Sequence, residues 1–262
     1  MPQALILAGS RPGSDPLAVS AGVSHKALIE IDGMPMLARV AGALRQAGFD
    51  RIAVSTQPGP VADLAVTLGL TVIAAQAGPS RSVAVAFEQL GAPLLVTTSD
   101  HGLLQAEWIT RFVADVPRSA DVAALLARRE RIEEALPGSR RTYLRFADGA
   151  WSGCNLFYLN SPRSAAALEL WQMVEADRKK PWRIVRRLGL GPLIFYLRGK
   201  LTMHRAVAHL GKLADVEAAV VESAFGLAAV DVDTQDDLIA VRALTAAAKP
   251  GGDGNDRPFR PA

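Results

Sequence analysis

Residues Ala4 to Ala8 read Ala-Leu-Ile-Leu-Ala and run directly into Gly9-Ser10. A strand with one solvated face alternates apolar and polar side chains. An unbroken apolar run closed by turn residues instead marks a strand covered on both faces. Such a strand demands helices above and below its sheet, and the sequence supplies them in alternation. Pro35–Gly48 reads as a helix, with Met36, Leu37, Val40, Ala41 and Leu44 on one face, Pro35 suited to its first turn and Gly48 to its stop. Ile52–Ser55 reads as a strand, Val61–Gly69 as a helix, Thr71–Ala75 as a strand and Ser82–Leu90 as a helix. Leu94–Ser99 is a fourth strand and Glu107–Val113 a helix. This order predicts an α/β fold of three layers, a mostly parallel sheet with helices on both faces.

The rhythm changes after a strand at Val122–Ala127. Arg128–Arg141 is a charged stretch containing Pro137 and Gly138, and Tyr143–Phe146 and Asn155–Leu159 read as strands, with the turn signal Asp148-Gly149 between them. Ser161-Pro162 opens a long helix to Asp177. Trp182–Leu210 reads as mostly helical, broken at Gly189-Leu190-Gly191-Pro192 and at Gly199. Val216–Glu222 and Ala228–Asp233 read as strands and Thr234–Ala248 as a closing helix. Residues 249–262 have the composition of a disordered tail. The expectation is a single domain over residues 1–248, with a helical insertion at about 178–212.

Composition excludes several classes. Of the 262 residues 50% are hydrophobic and 21% charged, which buries a full core and rules out disorder as the dominant state. Cys154 is the one cysteine, so neither an intrachain disulfide nor a four-cysteine zinc site can form. No apolar run approaches the roughly 18–20 residues of a spanning helix. The first residues lack the basic, apolar and small-residue regions of a signal peptide, and a cytoplasmic protein is expected.

The net charge of +3 hides an uneven distribution. Arg178, Lys179, Lys180, Arg183, Arg186 and Arg187 fall together without an acid among them, interleaved with Trp182, Ile184, Val185, Leu188 and Leu190. A solvated helix face would use the same residues. As a docking surface, residues 178–187 suit an anionic substrate first and an acidic membrane surface second. They carry no recognisable nucleic-acid-binding motif, and no nucleic-acid partner is expected.

Four short motifs carry chemistry. Leu7-Ala8-Gly9-Ser10-Arg11-Pro12-Gly13 is a turn at the end of a buried strand, where backbone N–H groups can approach a phosphate or a base. It lacks the third glycine of a dinucleotide-binding fingerprint, and an ordinary surface turn would look the same. Asp100, in Thr97-Thr98-Ser99-Asp100-His101-Gly102, stands just beyond a buried strand, where open α/β sheets bind ligands; it could hold Mg²⁺ or cap the next turn. In Val230-Asp231-Val232-Asp233-Thr234, alternation places Asp231 and Asp233 on one face without a cation partner in sequence, and either could be a metal ligand. Gly78-Pro79-Ser80-Arg81-Ser82-Val83 precedes a helix whose N-terminus could take an anion or a ribose through Ser80 and Ser82, though both residues also serve as plain caps.

In order along the chain, Leu7-Ala8-Gly9, Lys26-Ala27-Leu28, Gly33-Met34-Pro35-Met36-Leu37, Gly78 to Val83, Ser99-Asp100 and Asp231-Val232-Asp233-Thr234 with Asp237-Leu238 resemble the GT-A-type nucleotidyltransferases, in particular the group around molybdenum cofactor guanylyltransferase. Arg81-Ser82-Val83 is also similar to the cytidylyltransferases of isoprenoid synthesis. The resemblance implies that Leu7, Ala8, Gly9 and Ser10 line the base and phosphates. It further implies that Lys26 and Arg11 contact the triphosphate, Gly78, Ser80 and Ser82 contact the nucleoside, and Asp100 and Asp233 hold Mg²⁺. Gly153 and Asn155 fall where the family places an acceptor-facing strand. The sequence departs from the family at Ser10, where a second glycine is usual, at Gly102, where a proline is common, and in the length of Pro181–Leu210.

The implied reaction moves a nucleoside monophosphate from an NTP, GTP or CTP favoured, to a phosphorylated small-molecule acceptor and releases pyrophosphate. The catalytic set would be Lys26, Asp100 and Arg11. A sugar-nucleotide-dependent glycosyltransferase shares this fold and stands as the rival enzyme; a catalytically weak nucleotide-binding module is the rival outside enzymes.

Overall fold

The computed structural model describes residues 2–10, 13, 15–139, 141–177, 180, 182–183 and 189–247. The expected tail at 249–262 and most of the basic run at 178–187 lie outside them. The main sheet has eight strands: β1 (Gln3–Leu7), β4 (Arg51–Thr56), β5 (Thr71–Ala74), β6 (Leu94–Thr98), β7 (Val122–Arg128), β8 (Leu144–Phe146), β9 (Gly149–Leu159) and β10 (Ala218–Glu222). Their order is β5-β4-β1-β6-β9-β7-β10, with β8 paired to β9. Neighbours run parallel except at β9, which lies antiparallel to β6, β7 and β8. The expected mostly parallel α/β sheet is therefore the one found.

The first strand shows why its sequence has no polar gaps. Ala4 and Ile6 face one layer, with Leu37, Val40, Leu44 and Ile109 of helices α2 (Met36–Gln46) and α5 (Ala106–Asp115). Leu5 faces the other, with Val83, Ala86, Phe87 and Leu168 of α4 (Pro79–Leu90) and α7 (Ser164–Ala176). Both sides exclude water, so alternation has nothing polar to alternate with. A further helix, α3 (Pro60–Thr67), joins β4 to β5, and α10 (Gln235–Ala247) closes the described chain.

The structure corrects several boundaries. Pro35 is the N-cap of α2 rather than a residue of its first turn, and it also belongs to a two-stranded hairpin of β2 (Glu30–Ile31) and β3 (Met34–Pro35), where it pairs with Glu30. Between Gly13 and His25, where no element was expected, the chain forms α1 (Pro16–Ser20), capped by Asp15, which accepts from Leu17 N at 2.9 Å. Ala228–Asp233 is not a strand. Gly226–Ala229 forms a 3-10 turn, and residues 230–233 touch the sheet rim through Val232 N donating to Asp100 O at 3.0 Å. The charged stretch at 128–141 holds α6 (Arg129–Ala135), which buries little beyond Ile132 and so shows no apolar period in sequence. α6 lies so close to the 3-10 turn that a Cβ on Gly226 would stand 2.0 Å from Arg131 O. Between residues 189 and 213 the chain forms α8 (Leu190–Leu197) and α9 (Met203–Leu213).

Candidate active site

Asp100 and the loop after Leu7 meet at the C-terminal rim of β1 and β6, because the two strands run in register and Ser99 N continues the ladder to Leu7 O at 2.9 Å. The loop is braced from β4. Ala8 N donates to Ser55 O at 2.9 Å, Thr56 Oγ1 donates to Ala8 O at 3.1 Å, and Ser10 N donates to Gln57 Oε1 at 3.0 Å. Gly9 fits because its missing side chain would crowd Ala75 Cβ at 3.3 Å. Leu7, Ala8, Gly9 and Ser10 therefore present a fixed backbone edge beside Asp100. Arg11 lies outside the described residues.

Lys26 arrives on a 3-10 turn, Lys26–Leu28, whose start is capped by His25 Nδ1 accepting from Ala27 N at 2.9 Å. Its ammonium spans two carboxylates, with Asp100 Oδ2 at 2.5 Å and Asp233 Oδ1 at 2.7 Å. These two aspartates, 133 positions apart, thus meet on the Lys26 ammonium. Burial pulls the Lys26 pKa down, but the charges and hydrogen bonds of Asp100 and Asp233 outweigh it and hold it above its ordinary value. Asp100 is pushed up by burial and pulled down further by Lys26 and by the Thr98 hydroxyl, so it stays ionised.

Asp231 plays a different part. It is held by the Arg141 guanidinium and by Asn155 Nδ2, which donates to Asp231 Oδ2 at 2.8 Å. Arg141 also donates to the carbonyls of Ala229, at 2.7 Å, and Asp231, at 3.0 Å, so one side chain ties down the segment that carries Asp233. Asn155 reaches Asp231 because β9 is irregular there. Ala124 and Leu126 of β7 pair with Phe157 and Gly153, which leaves Cys154–Leu156 unpaired opposite one residue, and Asn155 takes φ 50°. Bulges of this kind redirect side chains at functional rims. Burial raises the Asp231 pKa, the neighbouring Asp233 and Asp100 charges add to it, and Arg141 opposes it. Asp231 is committed to Arg141 and Asn155, and Asp233 shares the Lys26 ammonium with Asp100.

The α4 N-terminus is covered. Ser80 N donates to Glu175 Oε2 of α7 at 3.1 Å, the Ser80 hydroxyl meets the same oxygen, and Ser82 Oγ accepts from Gln76 N at 2.9 Å. Glu175 also stands where a Cβ on Gly78 would be, 2.5 Å from its Oε1. Gly78 and Ser80 thus face a carboxylate in this structure, and the Ser82 hydroxyl is engaged by Gln76 N. His101, beside Asp100, is a packing residue: it is fully buried near Trp108, with ring centroids 6.1 Å apart, and burial drives its pKa down to about 4. Burial likewise raises the Cys154 thiol pKa, which makes it a poor nucleophile.

Sequence reading missed Arg141, Gln57 and Glu175. Arg141 sat in a stretch of charges that gave no hint of which one turns inward, and the other two act across the fold from their partners. Among the described residues no three His, Cys, Asp or Glu side chains gather around a common point. The donor set is two carboxylates, which suits a hard cation completed by substrate phosphates.

A family model described as MobA-like NTP transferase domain matches residues 4–192. No curated protein matches the chain. Among solved structures, a hypothetical transferase from Thermus thermophilus is 29% identical with a TM-score of 0.78, over 90% of this chain and 99% of that one. A nucleotidyl transferase from Methanothermobacter thermautotrophicus is 16% identical with a TM-score of 0.56, covering 95% and 99% of the two chains. CMP:2-keto-3-deoxy-manno-octonic acid synthetase complexed with CTP is 17% identical with a TM-score of 0.56, covering 94% and 99%. The last two likenesses are of fold.

Proposed function

The chain belongs to the MobA-like NTP transferase family and is a nucleotidyltransferase, and from that premise we propose that it transfers a nucleoside monophosphate from an NTP to a phosphorylated small molecule. The observation that carries this reading is the convergence of Asp100, Asp233 and Lys26 beside the Leu7–Ser10 edge. One oxygen of the acceptor phosphate attacks the α-phosphorus, the bond from that phosphorus to the β-phosphate oxygen breaks, and pyrophosphate leaves. The acceptor phosphate is already ionised near neutral pH, so no general base is needed. The protein's share is positioning and charge neutralisation. The backbone at Ala8, Gly9 and Ser10 seats the nucleotide, and Lys26 offers its ammonium to the triphosphate. Asp100 and Asp233 would hold Mg²⁺, which when bound supplies positive charge to the phosphates. GTP and CTP are the favoured nucleotides, the latter because the synthetase of similar fold is complexed with CTP.

The test is incubation of the protein with each of the four NTPs, Mg²⁺ and a panel of phosphorylated acceptors, with pyrophosphate release as readout. The reading expects release with one or two of the NTPs and none from Asp100→Ala. Turnover of a sugar nucleotide without pyrophosphate would move the chain to the glycosyltransferases. Nucleotide binding with no turnover by any acceptor would leave it a binding module.

A further inference from the structure

Charge is segregated along this chain. From Arg178 through Ala214 there are ten lysines and arginines and no aspartate or glutamate, leaving 19 cations against 26 acids in the rest. Such a separation orients a molecule at a negative surface. Within this region, among the described residues, α8 and the segment after it are held by the β8–β9 hairpin. The Tyr196 ring meets Phe146 with centroids 5.7 Å apart, Ala147 N donates to Leu201 O at 2.8 Å, and Met203 N donates to Asp148 Oδ1 at 2.9 Å. Away from that contact α8 is apolar at its surface, with Ile194, Phe195 and Leu197 exposed by 47%, 52% and 74%, and Tyr196 itself still 46% exposed. Arg198 and Lys200 follow directly and are exposed, and on the other flank Trp182 is 58% exposed under the Arg183 guanidinium. Isolated exposed apolar residues are ordinary; four in succession on one helix, flanked by cations, are not.

We propose that the face formed by α8 with Arg198 and Lys200 docks this chain on the surface of an anionic lipid bilayer. Phe195 and Leu197 enter the headgroup region, and the cations meet lipid phosphates. The pairing of Phe, Tyr, Ile and Leu with Arg and Lys is the composition of interfacial helices. Among the described residues no helix is long and apolar enough to cross a membrane, so α8 lies on the surface. A nucleic acid would draw on the cations and leave Ile194 and Leu197 without a partner. A second copy meeting this face about a two-fold axis would set the cations against themselves. The orientation is also informative. β6 and β7 both run antiparallel to β9, so the β8–β9 turn that holds α8 stands on the same rim as Asp100. Docking therefore turns the active-site rim toward the lipid. The inference does not rest on the nucleotidyl transfer reading.

The experiment is flotation of the full chain with vesicles of phosphatidylcholine alone and of phosphatidylcholine with phosphatidylglycerol. The wild type is expected to float with the anionic vesicles only, and less as salt rises. Arg198→Glu with Lys200→Glu should weaken binding by about five-fold for each cation removed. Phe195→Glu with Leu197→Glu should weaken it further at high salt, where the apolar contribution dominates. All four positions are exposed, and far-UV circular dichroism checks that the variants fold. A wild type that does not float with anionic vesicles overturns the proposal without recourse to any variant. So does equal flotation on both vesicle types, or apolar variants that bind like wild type. Retention on single-stranded RNA in place of vesicles, or a dimer by light scattering that Leu197→Glu dissociates while the wild type stays off vesicles, overturns it in favour of those partners.

Discussion

Replacing Arg141 by alanine removes the side chain that ties the Asp233 segment to the sheet. Arg141 is 9% exposed and Asp231 22%, and the guanidinium donates to the Asp231 carboxylate and to two main-chain carbonyls. Its removal leaves a largely buried carboxylate with Asn155 Nδ2 as its remaining side-chain donor. Breaking one side of such a pair costs roughly 3 kcal/mol, the low end for buried pairs because Asp231 keeps some contact with water. At a urea slope of about 3 kcal/mol per molar, the unfolding midpoint should fall by roughly 1 M. With the guanidinium gone, the Asn155 hydrogen bond is left to oppose burial and the carboxyl of Asp231 should titrate higher still. Arg141→Lys keeps the charge and loses the fork, so it should recover only part of the loss. A cycle with Asp231→Ala should show a coupling of roughly 1–3 kcal/mol. Pyrophosphate release by Arg141→Ala should need more Mg²⁺, because Asp233 is two residues from the broken clamp. An unfolding midpoint and an Mg²⁺ requirement both equal to wild type would refute the clamp.

Three further outcomes follow from the same contacts. His101 is neutral in the fold with a pKa of about 4 against an ordinary 6.5, so the unfolded chain binds a proton that the folded chain refuses; its contribution is whole above about pH 6.5 and lost as pH falls through 4, a difference of roughly 3 kcal/mol that His101→Leu should remove from the acid limb of a stability profile. Gly226→Ala places a methyl against Arg131 O and should lower stability by roughly 1–3 kcal/mol, read as an earlier thermal transition. Gly102→Ala drives a methyl into Ile31 Cδ1, 2.5 Å from the ideal position, and should loosen the β2–β3 hairpin, measured as faster amide exchange at Ile31.

How much of this was legible in sequence depended on whether a signal was local. The buried parallel strands and their covering helices were, because a strand with two dry faces cannot carry polar residues. Val230 and Val232 turned into the apolar core and Asp231 and Asp233 away from it as alternation requires, Asp231 onto Arg141 and Asp233 onto Lys26, yet the segment is no strand, since little of it finds a ladder partner. Alternation reports which way side chains point, and pairing is decided elsewhere in the fold. α6 stayed hidden because a seven-residue helix with little more than Ile132 buried has no measurable period. Asp100 and Asp233 could be named from position and family resemblance. Their division of labour from Asp231 could not, because it depends on Arg141 and on the turn of β9 at Asn155, which only the assembled sheet brings together.

The central claim is that Asp100 and Asp233 serve one divalent cation. Calorimetric titration of the productive NTP into wild type, Asp100→Ala, Asp233→Ala and the double variant, each with and without Mg²⁺, tests it most directly. A shared ion predicts that either single change removes the Mg²⁺-dependent part of the affinity and that the double variant binds no more weakly than the worse single. Losses that add between the two positions, or Mg²⁺-dependent binding that survives at Asp233→Ala, would contradict it.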